Sequence, residues 1–124
     1  MMPGARILLV EDELLVAGML THMLMALGYS VAGPTADLNE ALDIVDREKV
    51  DAVLLDINLN GVMSYSFAEC LRARGMPFIF ATGYQAVSLP IAFASQRLLK
   101  KPFRRSALGE SLATFLHDGD SARV

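Results

Sequence analysis

Short, unbroken apolar runs alternate along the chain with longer stretches in which apolar residues recur at helical spacing, the pattern of an α/β domain built on a parallel sheet. Ile7-Leu8-Leu9-Val10 is apolar throughout, as a strand buried on both faces requires, and Glu11 and Asp12 end it abruptly. A helix is expected over 13–27, with Val16, Met19, Leu20, Met23, Leu24 and Leu27 as its buried stripe and Gly28 as the left-handed residue that closes it. Leu14, Leu15 and Met25 fall off that stripe. A second strand follows near Tyr29 to Ala32, and Asp37 is placed to cap a second helix over 38–48. Ala52-Val53-Leu54-Leu55 is a third strand, again ended by an acid, Asp56.

Asn58-Leu59-Asn60-Gly61 has turn chemistry, and 64–74 carries Phe67, Cys70 and Leu71 at helical spacing before Gly75. Phe78-Ile79-Phe80-Ala81 is a fourth strand that ends at Thr82-Gly83-Tyr84. The stretch 85–95 contains Leu89-Pro90 and no clean stripe, so a fourth helix there is short or irregular. Arg97-Leu98-Leu99-Lys100 is a fifth strand broken by Lys101-Pro102, and Leu108, Leu112, Phe115 and Leu116 stripe a closing helix.

The chain has 124 residues, enough for one domain at about 100–200 residues each. The expectation is a single domain spanning 1–124 with no output domain attached. Lys plus Arg total 11 against 14 for Asp plus Glu, a net charge of −3 without a basic tract, which argues against nucleic-acid binding. The apolar run near the amino terminus is too short for a membrane span or a secretory core, and the single cysteine, Cys70, fits a reducing compartment. A soluble, cytoplasmic protein is expected. Cys70 reads as a packing residue, and His22 and His117 lie on helices without ligand partners.

The polar residues that interrupt the apolar runs share one position: Glu11, Asp12, Asp56, Thr82 and Lys101 each lie at or just beyond the C-terminal end of an expected strand. In an open parallel sheet those ends form one edge, where ligands bind at the topological switch point. A 2-1-3-4-5 strand order sets the first and third strands side by side and brings the three acids together. Each pair of carboxylates at 4 Å repels by about 4 kcal/mol at an effective dielectric near 20, so the pocket requires a cation. Oxygen ligands suit Mg²⁺, and the lack of a His/Cys cluster argues against zinc. With Lys101 gripping an anion, Thr82 offering a hydroxyl and Asp56 as an ionised nucleophile, the set has the parts for phosphoryl transfer to a carboxylate.

Taken in order and on these elements, Glu11-Asp12, Asp56, Thr82 and Lys101-Pro102 resemble the receiver domains of two-component response regulators, over nearly the whole chain. The resemblance implies a flavodoxin-like doubly wound fold. It implies that Asp56 accepts a phosphoryl group from a histidine kinase or a histidine phosphotransfer protein. Asp12, Asp56 and the backbone carbonyl of Asn58 would bind Mg²⁺, with Glu11 acting mainly through water. Thr82 and Lys101 would hold the phosphoryl oxygens, and the Lys101-Pro102 bond would be cis. Phe80-Ala81-Thr82-Gly83-Tyr84 is similar to the FATGUY subgroup of single-domain receivers, which work with HWE-type kinases. Such a protein signals by binding another protein or serves as a phosphate sink.

Two positions depart from the receiver pattern. Leu98 stands three residues before the lysine, where most receivers carry Tyr or Phe, so no aromatic rotamer switch operates from that position. Asn60-Gly61 replaces the common Met-Pro, which predicts a freer loop after the phosphorylated residue. The alternative function is a small Mg²⁺-dependent phosphatase of the haloacid dehalogenase type. That class wants a second Asp two positions after the nucleophile, where this chain has Asn58, and acids downstream of the lysine, where this chain has them upstream. A degenerate receiver that only binds a partner fits less well, because all five polar positions are filled. Leu15 and Gly18, beside the acid edge, mark where a helical phosphodonor would dock.

Overall fold

In the computed structural model the elements run in the order β1 (Arg6–Val10), α1 (Leu14–Ala26), β2 (Ser30–Thr35), α2 (Leu38–Arg47), β3 (Ala52–Asp56), β4 (Asn58–Leu59), β5 (Val62–Met63), α3 (Tyr65–Ala73), β6 (Phe78–Thr82), a 3₁₀ turn (Ile91–Phe93), β7 (Leu98–Lys100) and α4 (Arg105–Arg123). The structure describes residues 4–83 and 89–123, with the side chains of 114, 115 and 117–123 left aside. Five strands form a parallel sheet in the order β2-β1-β3-β6-β7. Once the β4–β5 hairpin is set apart, this is the 2-1-3-4-5 order that the sequence suggested.

Strand periodicity divides the core between the two faces. Leu8, Val10, Val53, Leu55, Phe78 and Phe80 pack toward α2 and α3. Ile7, Leu9, Leu54, Ile79 and Ala81 pack toward Ala17, Leu20 and Leu24 of α1 and Leu108, Leu112 and Leu116 of α4. With each buried large side chain contributing about 1.5–3 kcal/mol, these two layers anchor the central strands, and the polar residues that end them are carried to one edge. Asp37 caps α2 as expected, accepting the Asn39 N–H at 2.8 Å and the Glu40 N–H at 3.3 Å. Gly28 closes α1 at φ 94° while Tyr29 N–H reaches back to the Leu24 carbonyl at 3.0 Å.

Three features differ from the sequence reading, while the fourth helix is short, as expected. β2 continues to Thr35 because Gly33-Pro34, a cis pair, forms a bulge: Leu8 faces Ala32, yet Val10 faces Thr35. Gly33 is required there at φ 80°, since a Cβ would stand 2.9 Å from the Leu9 carbonyl oxygen and 3.0 Å from the Thr35 nitrogen. Met19, assigned to the buried stripe of α1, is 52% exposed and lines a cavity instead, because the helix is apolar on nearly every side. Between Leu89 and Ser95 the chain forms only the 3₁₀ turn, and the earlier part of the expected irregular helix, 85–88, lies outside the described residues. The segment after Asp56, expected as a loop with turn chemistry, is a two-stranded antiparallel hairpin, with Asn58 opposite Met63 and Leu59 opposite Val62. Asn60 at φ 54° and Gly61 at φ 89° form the tight two-residue turn that matches strand twist.

Candidate active site at the carboxyl edge of the sheet

Four of the polar positions, Glu11, Asp12, Asp56 and Lys101, meet across about ninety residues, and Thr82 is tied to them through its backbone carbonyl. β1 hands over to Glu11 and Asp12, β3 ends in Asp56, β6 ends in Thr82, and Lys101 follows β7 directly. Carboxylate oxygens of Glu11, Asp12 and Asp56 all lie within 4.8 Å of one another. The Lys101 ammonium joins two of them, donating to Glu11 Oε1 at 2.6 Å and to Asp56 Oδ2 at 3.1 Å. Glu11 Oε2 accepts the N–H groups of Asp12 and Glu13, each at 3.1 Å, so both Glu11 oxygens are held by donors of the chain itself. The β2 bulge contributes here, since it sets the Thr35 carbonyl to accept the Glu11 N–H at 2.9 Å. The Lys101-Pro102 bond is cis, as the resemblance implied.

Burial and charge oppose each other at Asp56. Desolvation pushes its carboxyl up to about 6 from the usual 3.8; the Lys101 charge pulls the other way, and the Glu11 charge adds to the rise. Burial alone would lower the Lys101 ammonium, but its hydrogen bond to Glu11 and the charge of Asp56 outweigh burial and raise it above its ordinary value. At pH 7 the pocket therefore holds an ionised but poorly solvated Asp56 beside a firmly charged lysine. Thr82 is fully buried at the end of β6, and its carbonyl accepts the Lys101 backbone N–H at 2.7 Å. A cavity of about 580 Å³ opens from Asp12, Asp56, Asn58 and Lys101 along Val16, Met19, Leu20 and Met23 of α1 to Phe103.

The donor set suits a hard divalent cation: converging carboxylates, neighbouring carbonyls, and no nitrogen or sulfur ligand in the cluster. Sequence reasoning missed Ser64. Its hydroxyl donates to the Asp56 carbonyl at 2.7 Å and its N–H to the Ile57 carbonyl at 2.8 Å, so a fully buried serine braces the backbone at the acidic strand end. In the sequence it marked only the start of the 64–74 run, and its side chain makes no capping bond to α3. The turn was legible in Asn58-Leu59-Asn60-Gly61, but the hairpin was not, because its flanking strands are too short to show alternation. Tyr84, the last residue of the FATGUY segment, lies outside the described residues.

A parallel sheet of this order with acids, a hydroxyl and a lysine at its carboxyl edge is the arrangement that the resemblance to receiver domains implies. The model for the response regulator receiver domain matches residues 7–113, and the chain belongs to that family. The chain is 38% identical to SdrG from Sphingomonas melonis Fr1, covering 94% of this chain and 99% of that one at a TM-score of 0.81. A second SdrG structure is of its BeF3-activated conformation. The receiver domain of the sensor histidine kinase PA1611 from Pseudomonas aeruginosa PAO1, with a magnesium ion coordinated in its active-site cleft, is 30% identical over 92% of this chain and 98% of that one, at a TM-score of 0.77. The positive alginate biosynthesis regulatory protein of Pseudomonas aeruginosa is 35% identical over 111 residues, 86% of this chain and 45% of its own length. The chain spans about half the length of the curated relatives it matches. It is a phosphoryl-accepting receiver of a two-component system, and the phosphatase alternative finds no support in these relatives. No helix among the described residues is long and apolar enough to cross a membrane.

Proposed function

We propose that Asp56 takes a phosphoryl group from a phosphohistidine in a Mg²⁺-dependent step, and that the domain signals through the protein surface it then presents or serves as a phosphate sink. The observation that carries this reading is the Lys101 ammonium bridging Glu11 and Asp56 at the edge where Asp12 converges with them. A carboxylate oxygen of Asp56 forms the new P–O bond as the P–N bond to the donor imidazole breaks and its electron pair returns to the ring. Lys101 exchanges part of its hold on Asp56 for a phosphoryl oxygen, and the Thr82 hydroxyl receives another. Asp12, Asp56 and the Asn58 carbonyl would hold Mg²⁺, with Glu11 acting through water; when bound, the ion supplies positive charge to the crowded carboxylates and the transferring group. Water later removes the phosphoryl group, so the domain acts as a switch with self-catalysed reset and no separate substrate to turn over.

The donor is a histidine kinase, of the HWE type on the likeness of residues 80–84 to the FATGUY segment, or a histidine phosphotransfer protein. We place the domain in the cytoplasm, in keeping with its free Cys70. The start of α1 is the donor's docking surface: Leu14 and Leu15 are 89% and 87% exposed on the helix that leaves the acid edge. Leu15→Asp should abolish transfer from the kinase and leave phosphorylation by a small-molecule donor intact; equal kinase transfer in both proteins would remove this surface from consideration.

Intact mass after incubation with a small-molecule phosphodonor tests the central reading. One Mg²⁺-dependent phosphoryl adduct is expected in the wild type and none in Asp56→Ala. An adduct that survives the substitution places the acceptor elsewhere.

A further inference from the structure

The β4–β5 hairpin does more than close the chain after Asp56, because its tip folds back onto the acid cluster. Asn58 Oδ1 accepts the Gly61 N–H at 2.7 Å and latches the turn. The Asn60 N–H then donates to Asp12 Oδ2 at 3.1 Å, across 48 residues of sequence. Both turn residues are left-handed, a conformation that Asn and Gly supply and Met-Pro does not. A backbone donor carried on a latched turn holds one oxygen of Asp12 and leaves the other for a cation, in the way outer hydrogen bonds orient metal-binding carboxylates.

We propose that the Asn60-Gly61 turn is a positioning device that sets the Asp12 carboxylate for Mg²⁺ before the ion arrives, with the Asn58 side chain as its latch. This rests on the reading of Asp12 as a Mg²⁺ ligand. Asn58 thereby acts twice: its side chain holds the turn that orients Asp12, while its backbone belongs to the same ion's surroundings. The device depends on this chain's Asn-Gly, since both positions are left-handed and Gly61 donates the N–H that Asn58 latches.

Calorimetric titration of Mg²⁺ into the full chain tests it, alongside thermal melting in chelator. Gly61→Pro cannot adopt φ 89° and has no N–H for Asn58, and it should weaken Mg²⁺ binding about tenfold. Its melt in chelator should stay cooperative, since Asn60 and Gly61 are both exposed. Asn60→Gly keeps the donor and the left-handed turn, and it should bind Mg²⁺ within about twofold of wild type, which a general loss of surface packing would not explain. A folded Gly61→Pro that binds Mg²⁺ as the wild type does overturns the proposal. If Gly61→Pro does not melt cooperatively, Asn58→Ala decides: about threefold weaker binding supports the latch, and unchanged binding overturns it. Wild type that takes up no Mg²⁺ overturns the reading of the site itself, an outcome distinct from wild type and Gly61→Pro binding alike.

Discussion

The acid pocket and the aromatic cluster belong to one sheet and stand in opposite energetic states. In the pocket, Glu11 and Asp56 compete for Lys101, and Asp56 stays ionised at neutral pH only against the cost of its burial. In the cluster, Phe93 is 1% exposed, stacked on Tyr65 at 5.8 Å and edge-on to Phe80 at 5.5 Å and Phe78 at 6.3 Å. The Arg72 guanidinium lies 4.5 Å over the Phe93 ring and donates to the Ala92 carbonyl and to Gln96 Oε1, while Gln96 Nε2 donates to the Phe78 carbonyl at 2.6 Å. One region gains when a cation or a phosphoryl group arrives; the other is already satisfied. Leu98 stands where many receivers carry the swinging aromatic, and Phe93, five positions earlier, is packed as an anchor for the 3₁₀ turn.

Substitution should separate the two regions by sign. The largest effect is expected from Phe93→Ala, which opens a cavity in the aromatic cluster and should cost about 3–5 kcal/mol in a melt, equally with and without Mg²⁺. A loss that depends on Mg²⁺ would couple the cluster to the pocket and break the contrast.

Asp56→Asn should act in the opposite direction. Full conversion of the upward pKa shift corresponds to about 3 kcal/mol, and screening at the pocket mouth reduces this to about 1–2 kcal/mol of stabilisation in the metal-free protein. Because the folded value of about 6 exceeds the ordinary 3.8, the folded state holds the Asp56 proton more tightly. Its penalty is fully present above the folded value and is relieved as pH falls toward the unfolded one. Metal-free wild type should therefore gain stability from this group between about pH 7 and about pH 4, and Asp56→Asn should lose that gain. Excess Mg²⁺ should reverse the ranking, since a ligand at 100 times its Kd stabilises the folded wild type by about 2.7 kcal/mol. A flat response of the wild type to both pH and Mg²⁺ would mean that the acids do not burden the fold. The smallest effect is expected from Arg72→Met, which removes the cap on Phe93 but keeps apolar bulk, at about 0.5–1 kcal/mol in a denaturant titration.

Much of the fold was legible because buried parallel strands must be apolar on both faces, so Ile7–Val10 and Ala52–Leu55 stand out and the acids that end them stand out more. The amphipathic α2 with its Asp37 cap was equally readable. α1 was not fully so: a helix apolar on nearly every side has no periodicity to say which side is buried, and Met19 went to the wrong one. The β2 bulge, the hairpin and Ser64 were hidden for a different reason. Each depends on a partner beyond its own local pattern: the Leu9 carbonyl beside Gly33, the Asp12 carboxylate that the Asn60 N–H reaches, and the Asp56 carbonyl, eight residues back, that the Ser64 hydroxyl holds.

The order of strands and helices, the family and the five polar positions were determined by the sequence alone, because periodicity and strand-ending polar residues are local properties that need no partner to be read. The convergence of Glu11, Asp12 and Asp56 within 4.8 Å, the division of Lys101 between two of them, the raised Asp56 and the hairpin bond to Asp12 were decided by the tertiary structure. Distance and desolvation set those properties, and neither exists until the sheet has assembled.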